Sequence, residues 1–201
     1  RALLDKFREG IIVGGACEAG EIYQAFLKNK SDEEKMKIAE RYDYFEIQPL
    51  CNNQFMVDNG IVDSVEDLKT INKEIIDFGK KLGKLTVATC DSHYLEKNQD
   101  IYRTILQAGQ GYQDIEGNKG LYFRTTEEML GEFEYLGKEL ASAVVVVTSN
   151  KIAEEIEVLK PVPDGKFPPR IDGAEEILRK ICSDRVHEIY GEKLPEIVEQ
   201  R

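Results

Sequence analysis

Between Ser64 and Gly83 the apolar residues Leu68, Ile71, Ile75, Phe78 and Leu82 recur at steps of three and four. That spacing puts them on one face of an α-helix. Ser64 with Asp67 supplies a start signal and Gly83 a stop. A helix with a single apolar stripe must lay it on another element, and the chain continues at once into Leu85-Thr86-Val87-Ala88-Thr89, a short β-favouring run. Tyr44 to Ile47 reads as a strand upstream. Before it, Ser31 with Glu34 and then Met36, Ile38 and Ala39 predict a short helix. Earlier still, Ile11-Ile12-Val13 running into Gly14-Gly15 predicts a short buried strand and a tight turn. Strands alternating with amphipathic helices are the pattern of parallel β/α units, so the expected fold class is α/β.

Past His93 the chain turns helical. Helices are expected from about Asp100 to Gln107 and from Thr125, where Thr125 with Glu128 repeats the capping pattern. Val144 to Val147 favours a strand by its β-branched side chains. Leu136, Leu140, Val144, Val147 and Ile152 nevertheless recur at near-helical intervals, and we read a helix. Pro161, Pro163, Pro168 and Pro169 interrupt any regular element and mark a boundary. A last helix is expected from Gly173 to Tyr190, with Asp172 as its cap and Gly191 as its stop. The expected organisation is one body over residues 1–160 and a proline-rich linker with a helix over 161–201, without internal repeats.

Of the 201 residues 41% are apolar and 32% charged, in the globular range, and no apolar run approaches the ~20 residues of a membrane span. A soluble chain is expected, and its opening on Arg1 reads as internal to a longer protein. The net charge of -11, with no cluster of Lys and Arg among aromatics, argues against a main DNA-gripping surface. Cys17, Cys51, Cys90 and Cys182 are scattered without a C-x-x-C pair, so neither a disulfide framework nor a zinc finger is indicated, and a reducing cytoplasm is the natural setting. Walker loops, dinucleotide fingerprints, serine nucleophile elbows and H-E-x-x-H helices are absent from the sequence.

Asp91 and His93 stand two apart, so in an extended segment their side chains leave the same face just past the carboxyl end of a strand. Active sites of β/α folds are built there. A carboxylate and an imidazole can hold a divalent transition metal, although a bare D-x-H is more often a capping aspartate beside a surface histidine. Cys17 follows the first strand. Its thiolate would be a soft ligand, and its commoner role is that of a small buried hydrophobe. Glu46, within a strand, reads as a solvated strand face or as a support for neighbouring ligands. Cys51, Cys90 and Cys182 read as packing residues, His187 as a surface histidine, Glu18 and Glu21 as caps of a following helix, and Lys6, Arg8, Arg124 and Arg170 as solvated.

Four stretches carry a further likeness: Gly15-Ala16-Cys17-Glu18-Ala19-Gly20-Glu21, Glu46-Ile47-Gln48-Pro49-Leu50, Ala88-Thr89-Cys90-Asp91-Ser92-His93-Tyr94-Leu95, and Tyr122-Phe123-Arg124-Thr125-Thr126-Glu127-Glu128-Met129-Leu130. Together they resemble PolC-type DNA polymerase III, and the ending from Ile189 to Glu199 resembles the helix that enters that family's polymerase core. The resemblance implies the later part of a PHP domain, a distorted β/α barrel interrupted by a proofreading exonuclease, with metal ligands at its carboxyl-end mouth. It matches Cys17 to the ligand of a Cys-x-x-Gly-Glu stretch, and Asp91 and His93 to a final Asp-x-His pair. It implies zinc or manganese at this partial site and magnesium at the parent's polymerase site. The family's His-x-His motif and its middle His and Glu ligands have no counterpart here, so a complete cluster is not expected in this chain. The parent would be a DNA-directed DNA polymerase, a nucleotidyltransferase, which holds DNA elsewhere. This segment would contact the remaining domains, or self-associate where its barrel is incomplete. The alternatives are a stand-alone PHP phosphoesterase of the histidinol-phosphatase kind and a metal-free scaffold.

Overall fold

The computed structural model describes residues 2–112, 120–162 and 164–200. Along the chain run α1 (Ala2–Lys6), α2 (Glu21–Leu27), α3 (Asp32–Ala39), β1 (Tyr44–Ile47), α4 (Gln54–Asp58), α5 (Val65–Leu82), β2 (Leu85–Ala88), α6 (Asp100–Gly109), α7 (Thr126–Glu132), α8 (Lys138–Ser142), α9 (Thr148–Glu155), α10 (Ala174–Tyr190) and α11 (Glu196–Glu199). Residues 1–157 form one compact unit and residues 158–201 a second. Pro163, read as part of the proline-rich boundary, lies outside the described residues.

β1 and β2 pair in parallel, in register from Tyr44 with Leu85 to Ile47 with Ala88. Parallel neighbours need a crossover, and α5 provides it. Its first turn is fixed by Asp67, whose Oδ2 accepts from the Ser64 N–H at 2.8 Å and the Ser64 hydroxyl at 2.9 Å. Its end is fixed by Gly83 at φ 67, a left-handed position where a side chain is disfavoured. Leu68, Ile75 and Ile76 of α5 are buried with Phe45 and Ile47 of β1. Phe45 stacks on Phe78 at 5.8 Å between ring centroids. The class is thus α/β, mostly helical, with a sheet of two parallel strands among the described residues. None of the described helices is long and apolar enough to cross a membrane.

Two local expectations are corrected. Ile11-Ile12-Val13 is not a buried strand: Ile11 and Ile12 are exposed, and the segment meets β1 through one bridge, Gly14 to Tyr44. The Asp43 N–H donates to the Val13 carbonyl at 2.7 Å, but the Val13 N–H goes to the Asp43 carboxylate at 2.6 Å, which ends the ladder. The short helix read from Ser31, Glu34, Met36, Ile38 and Ala39 is α3, which turns Ile38 and Ala39 to the core and leaves Met36 exposed. Asp172 does not cap α10, because Gly173 takes the N-cap position at φ 72 with no side-chain cap bond, while Gly191 ends the helix as expected. The Val144–Val147 run is helical, as read, and it is a π-turn over Ala143–Val147 joining α8 to α9. The Thr148 hydroxyl lies 2.9 Å from the Thr86 carbonyl and 3.0 and 3.1 Å from the carbonyls of Ala143 and Val144, so groups displaced by the wide turn find a donor.

Asp43 therefore ties the 11–15 segment to the body, with Arg8 bound to the same carboxylate. Burial pulls the Asp43 carboxyl upward, yet the Val13 N–H, the Arg8 guanidinium and the Lys84 ammonium outweigh it and hold it below the usual aspartate value. A depressed folded pKa gives stability that is complete above the unfolded value of about 3.9 and lost as pH falls through the lower folded value. Urea unfolding across a pH series is expected to show Asp43→Asn less stable than the parent sequence at neutral pH, with the gap closing below about pH 4.

Candidate functional site

The segment at Gly14, β1 and β2 lie side by side in parallel, and each runs at its carboxyl end into a loop. The first loop carries Cys17 and the third carries Asp91 and His93. Both loops contain a non-glycine residue in the left-handed region, Ala16 at φ 61 and Asp91 at φ 53. Such conformations persist only where surrounding contacts enforce them.

Cys17 is half-buried. Burial raises its thiol pKa; the Ala19 N–H opposes this, and the carboxylates of Glu18 and Asp91 add to it. Asp91 and His93 do not leave one face of an extended segment, because the left-handed turn at Asp91 breaks it. The His93 ring folds back instead, with Nδ1 2.8 Å from the Asp91 carbonyl oxygen and 3.7 Å from its Oδ1. With its proton on Nδ1 and donated to that carbonyl, the ring keeps the Nε2 lone pair free to bind a metal ion, the usual support of a metal-bound histidine. Thiolate, carboxylate and imidazole suit a divalent transition metal in kind. In number they do not close a site: among the described residues no group of three His, Cys, Asp or Glu side chains is gathered to hold an ion.

The third loop is anchored from behind. The His93 N–H donates to the Leu121 carbonyl at 2.7 Å, and the Phe123 N–H donates to Tyr94 at 2.9 Å. At the end of this short ladder stands Arg124, whose side chain is 1% exposed. Its Nη2 lies 2.9 Å from Cys51 Sγ, its Nη1 3.6 Å from Cys90 Sγ and its Nε 3.2 Å from Glu132 Oε1, with the Tyr122 ring 4.3 Å away. Arg124 is therefore not solvated; Cys90 packs against the core as read, and both Cys51 and Cys90 also serve as polar partners of this one buried cation. Cys182 does not pack either, being exposed on α10, and His187 is exposed as expected. Under the loops lie the buried amides Gln48, Asn52, Asn53 and Asn72. Asn52 Nδ2 holds the Cys90 carbonyl at 3.1 Å, and Asn72 Nδ2 reaches the Gln48 carbonyl at 3.2 Å and the Tyr135 hydroxyl at 2.9 Å. Sequence reading missed these groups. For Asn52 and Asn53 the local hint is the polar run Asn52-Asn53-Gln54, a few residues past the end of β1.

Comparison with known proteins adds to this geometry. No protein-family model matches the chain. It is 54% identical over 201 residues to the "DNA polymerase III PolC-type" of Caldanaerobacter subterraneus subsp. tengcongensis and 49% identical over 201 residues to that of Clostridium perfringens. The corresponding protein of Bacillus subtilis is 41% identical over 204 aligned residues. Along its whole length the chain matches one segment of PolC-type DNA polymerase III. The match takes in 100% of this chain and 14% of each of these relatives. The PolC-type resemblance carried by the four motif stretches therefore holds from end to end. The stand-alone phosphoesterase finds no support.

Removing the buried guanidinium strands Glu132 and two sulfur groups and opens a void beside Tyr122. Arg124→Ala is expected to lower stability by about 3 kcal/mol in urea unfolding. Arg124→Lys should recover only part of it, since an ammonium lacks the fork that reaches all three partners.

Proposed function

We propose that the chain is a segment of a replicative, DNA-directed DNA polymerase of the PolC type. Residues 1–160 would form the later part of a PHP-type β/α barrel, and residues 161–201 the linker and first helix leading to the polymerase core. The observation that carries the reading is the full-length match at 54% and 49% identity to a stretch making up 14% of PolC-type proteins. The parallel β1–α5–β2 unit, with candidate ligands past its strand ends, is compatible with one side of such a barrel.

Within this reading Cys17, Asp91 and His93 are the chain's share of a zinc or manganese site whose other donors come from outside the chain. When bound, the metal would supply Lewis-acid polarisation of an oxygen ligand. The chain's own groups would bind it, with the Asp91 carbonyl keeping the His93 ring in the ligating orientation. DNA and the magnesium of nucleotide transfer would be held elsewhere in the parent, in the cytoplasm, consistent with a net charge of -11 here. The remaining domains would cover apolar surface such as Ile101, Tyr102, Ile105 and Leu106 of α6, all exposed.

Primer extension is expected from the intact parent polypeptide and absent from the 201-residue chain alone; extension by the purified chain would overturn the assignment. Zinc titration of the intact parent is expected to weaken at least tenfold, roughly, in Cys17→Ala and in His93→Ala, and further at acidic pH, where imidazole and thiol bind protons instead. Equal uptake by both variants and the parent sequence would leave the metal-free scaffold as the better account.

A further inference from the structure

We infer that Glu46 is the positioning residue of this site, tying the Cys17 loop to the Asp91–His93 loop and setting their separation. The inference rests on the reading of Cys17, Asp91 and His93 as ligands. Glu46 sits on β1 between Phe45 and Ile47, both buried in the core, so its side chain leaves the opposite face of the strand. There its two oxygens are divided between the neighbours. Oε1 accepts from the Ala16 N–H at 3.2 Å, and Oε2 accepts from the Thr89 hydroxyl at 3.2 Å.

Two independent features show a place built for this carboxylate. A Cβ on Gly14 would stand 2.6 Å from Glu46 Oε1 and 2.5 Å from Tyr44 Cζ, so the glycine leaves the room that the carboxylate fills. Ala16, whose N–H Glu46 receives, is held at φ 61, where alanine is strained. Cys17 follows Ala16 directly, and Asp91 comes two residues after Thr89. One side chain thus governs the approach to both sets of donors.

A positioning role and a direct bond to metal make opposite demands on the conservative variant. In Glu46→Gln the amide oxygen still accepts from Ala16 and the amide nitrogen donates to the Thr89 hydroxyl, so positioning survives while the charge is lost. In Glu46→Leu both ties are lost. Hydrogen-exchange mass spectrometry of the intact parent polypeptide reads the 14–17 and 89–93 segments without metal, and zinc titration reads the site. Exchange in both segments is expected to rise about tenfold in Glu46→Leu, with zinc affinity falling by a similar factor. Glu46→Gln is expected to stay within about twofold of the parent sequence on both measures. Thr89→Val, which cuts one tie, is expected to loosen 89–93 and leave 14–17 protected; this keeps the test decisive if Glu46→Leu does not fold. Unchanged exchange in Glu46→Leu, or loosening of 14–17 in Thr89→Val, would overturn the inference. So would a zinc defect in Glu46→Gln equal to that of Glu46→Leu, which would make Glu46 a ligand. If instead zinc uptake ignores Cys17→Ala and His93→Ala while exchange responds as expected, the ligand reading fails and the tie between the loops stands.

Discussion

Phe45 has no exposed surface, and the arrangement of the larger unit depends on its position. Held by the parallel pairing of β1 with β2 and stacked on Phe78 of α5, it joins the sheet to the crossover helix in one contact. Burying an aromatic ring of this kind removes on the order of 200 Å² from water, worth several kcal/mol. The pairing also decides the chemistry, because parallel strands deliver their following loops to the same end. The loops that carry Cys17 and Asp91 leave the same end for that reason, although 74 positions separate the two residues (91 − 17).

The groups that shape those loops are polar and largely enclosed. Arg124 gathers two sulfurs and a carboxylate from three parts of the chain, and Glu46 divides its oxygens between two loops. Burial pushes the Tyr135 hydroxyl up to about 12, so it stays protonated beside Asn72 through the physiological range. Such interactions contribute modest net stability while penalising alternative geometries heavily, since a buried polar group without its partner is costly. They act here as spacers for loops whose sequences alone would permit many conformations.

Apart from the Asp172 cap, local signals were legible where the deciding contacts lie within a few residues. The capping pairs Ser31 with Glu34, Ser64 with Asp67 and Thr125 with Glu128 each open a helix, and Gly83 and Gly191 each close one. β1 matches its apolar run at Tyr44–Ile47, and β2 accounts for Leu85–Ala88. The same reasoning erred where the partner is distant. Ile11 and Ile12 look like core residues, but their segment is joined to β1 at its end only. Cys51 and Cys90 look like small hydrophobes until Arg124 is brought beside them.

By itself, then, the sequence determined the helices α3, α5, α6, α7 and α10, the strands β1 and β2, the α/β class and the end-to-end likeness to PolC-type DNA polymerase III, because capping, periodicity and motif order are written in near neighbours. Only the tertiary structure decided that Arg124 is buried, that Asp91 turns left-handed with the His93 ring folded onto its carbonyl, and that Glu46 bridges two loops. Each depends on groups 30 or more residues apart or on a backbone angle that neighbours enforce. The energy of such contacts exists only once the strands have paired.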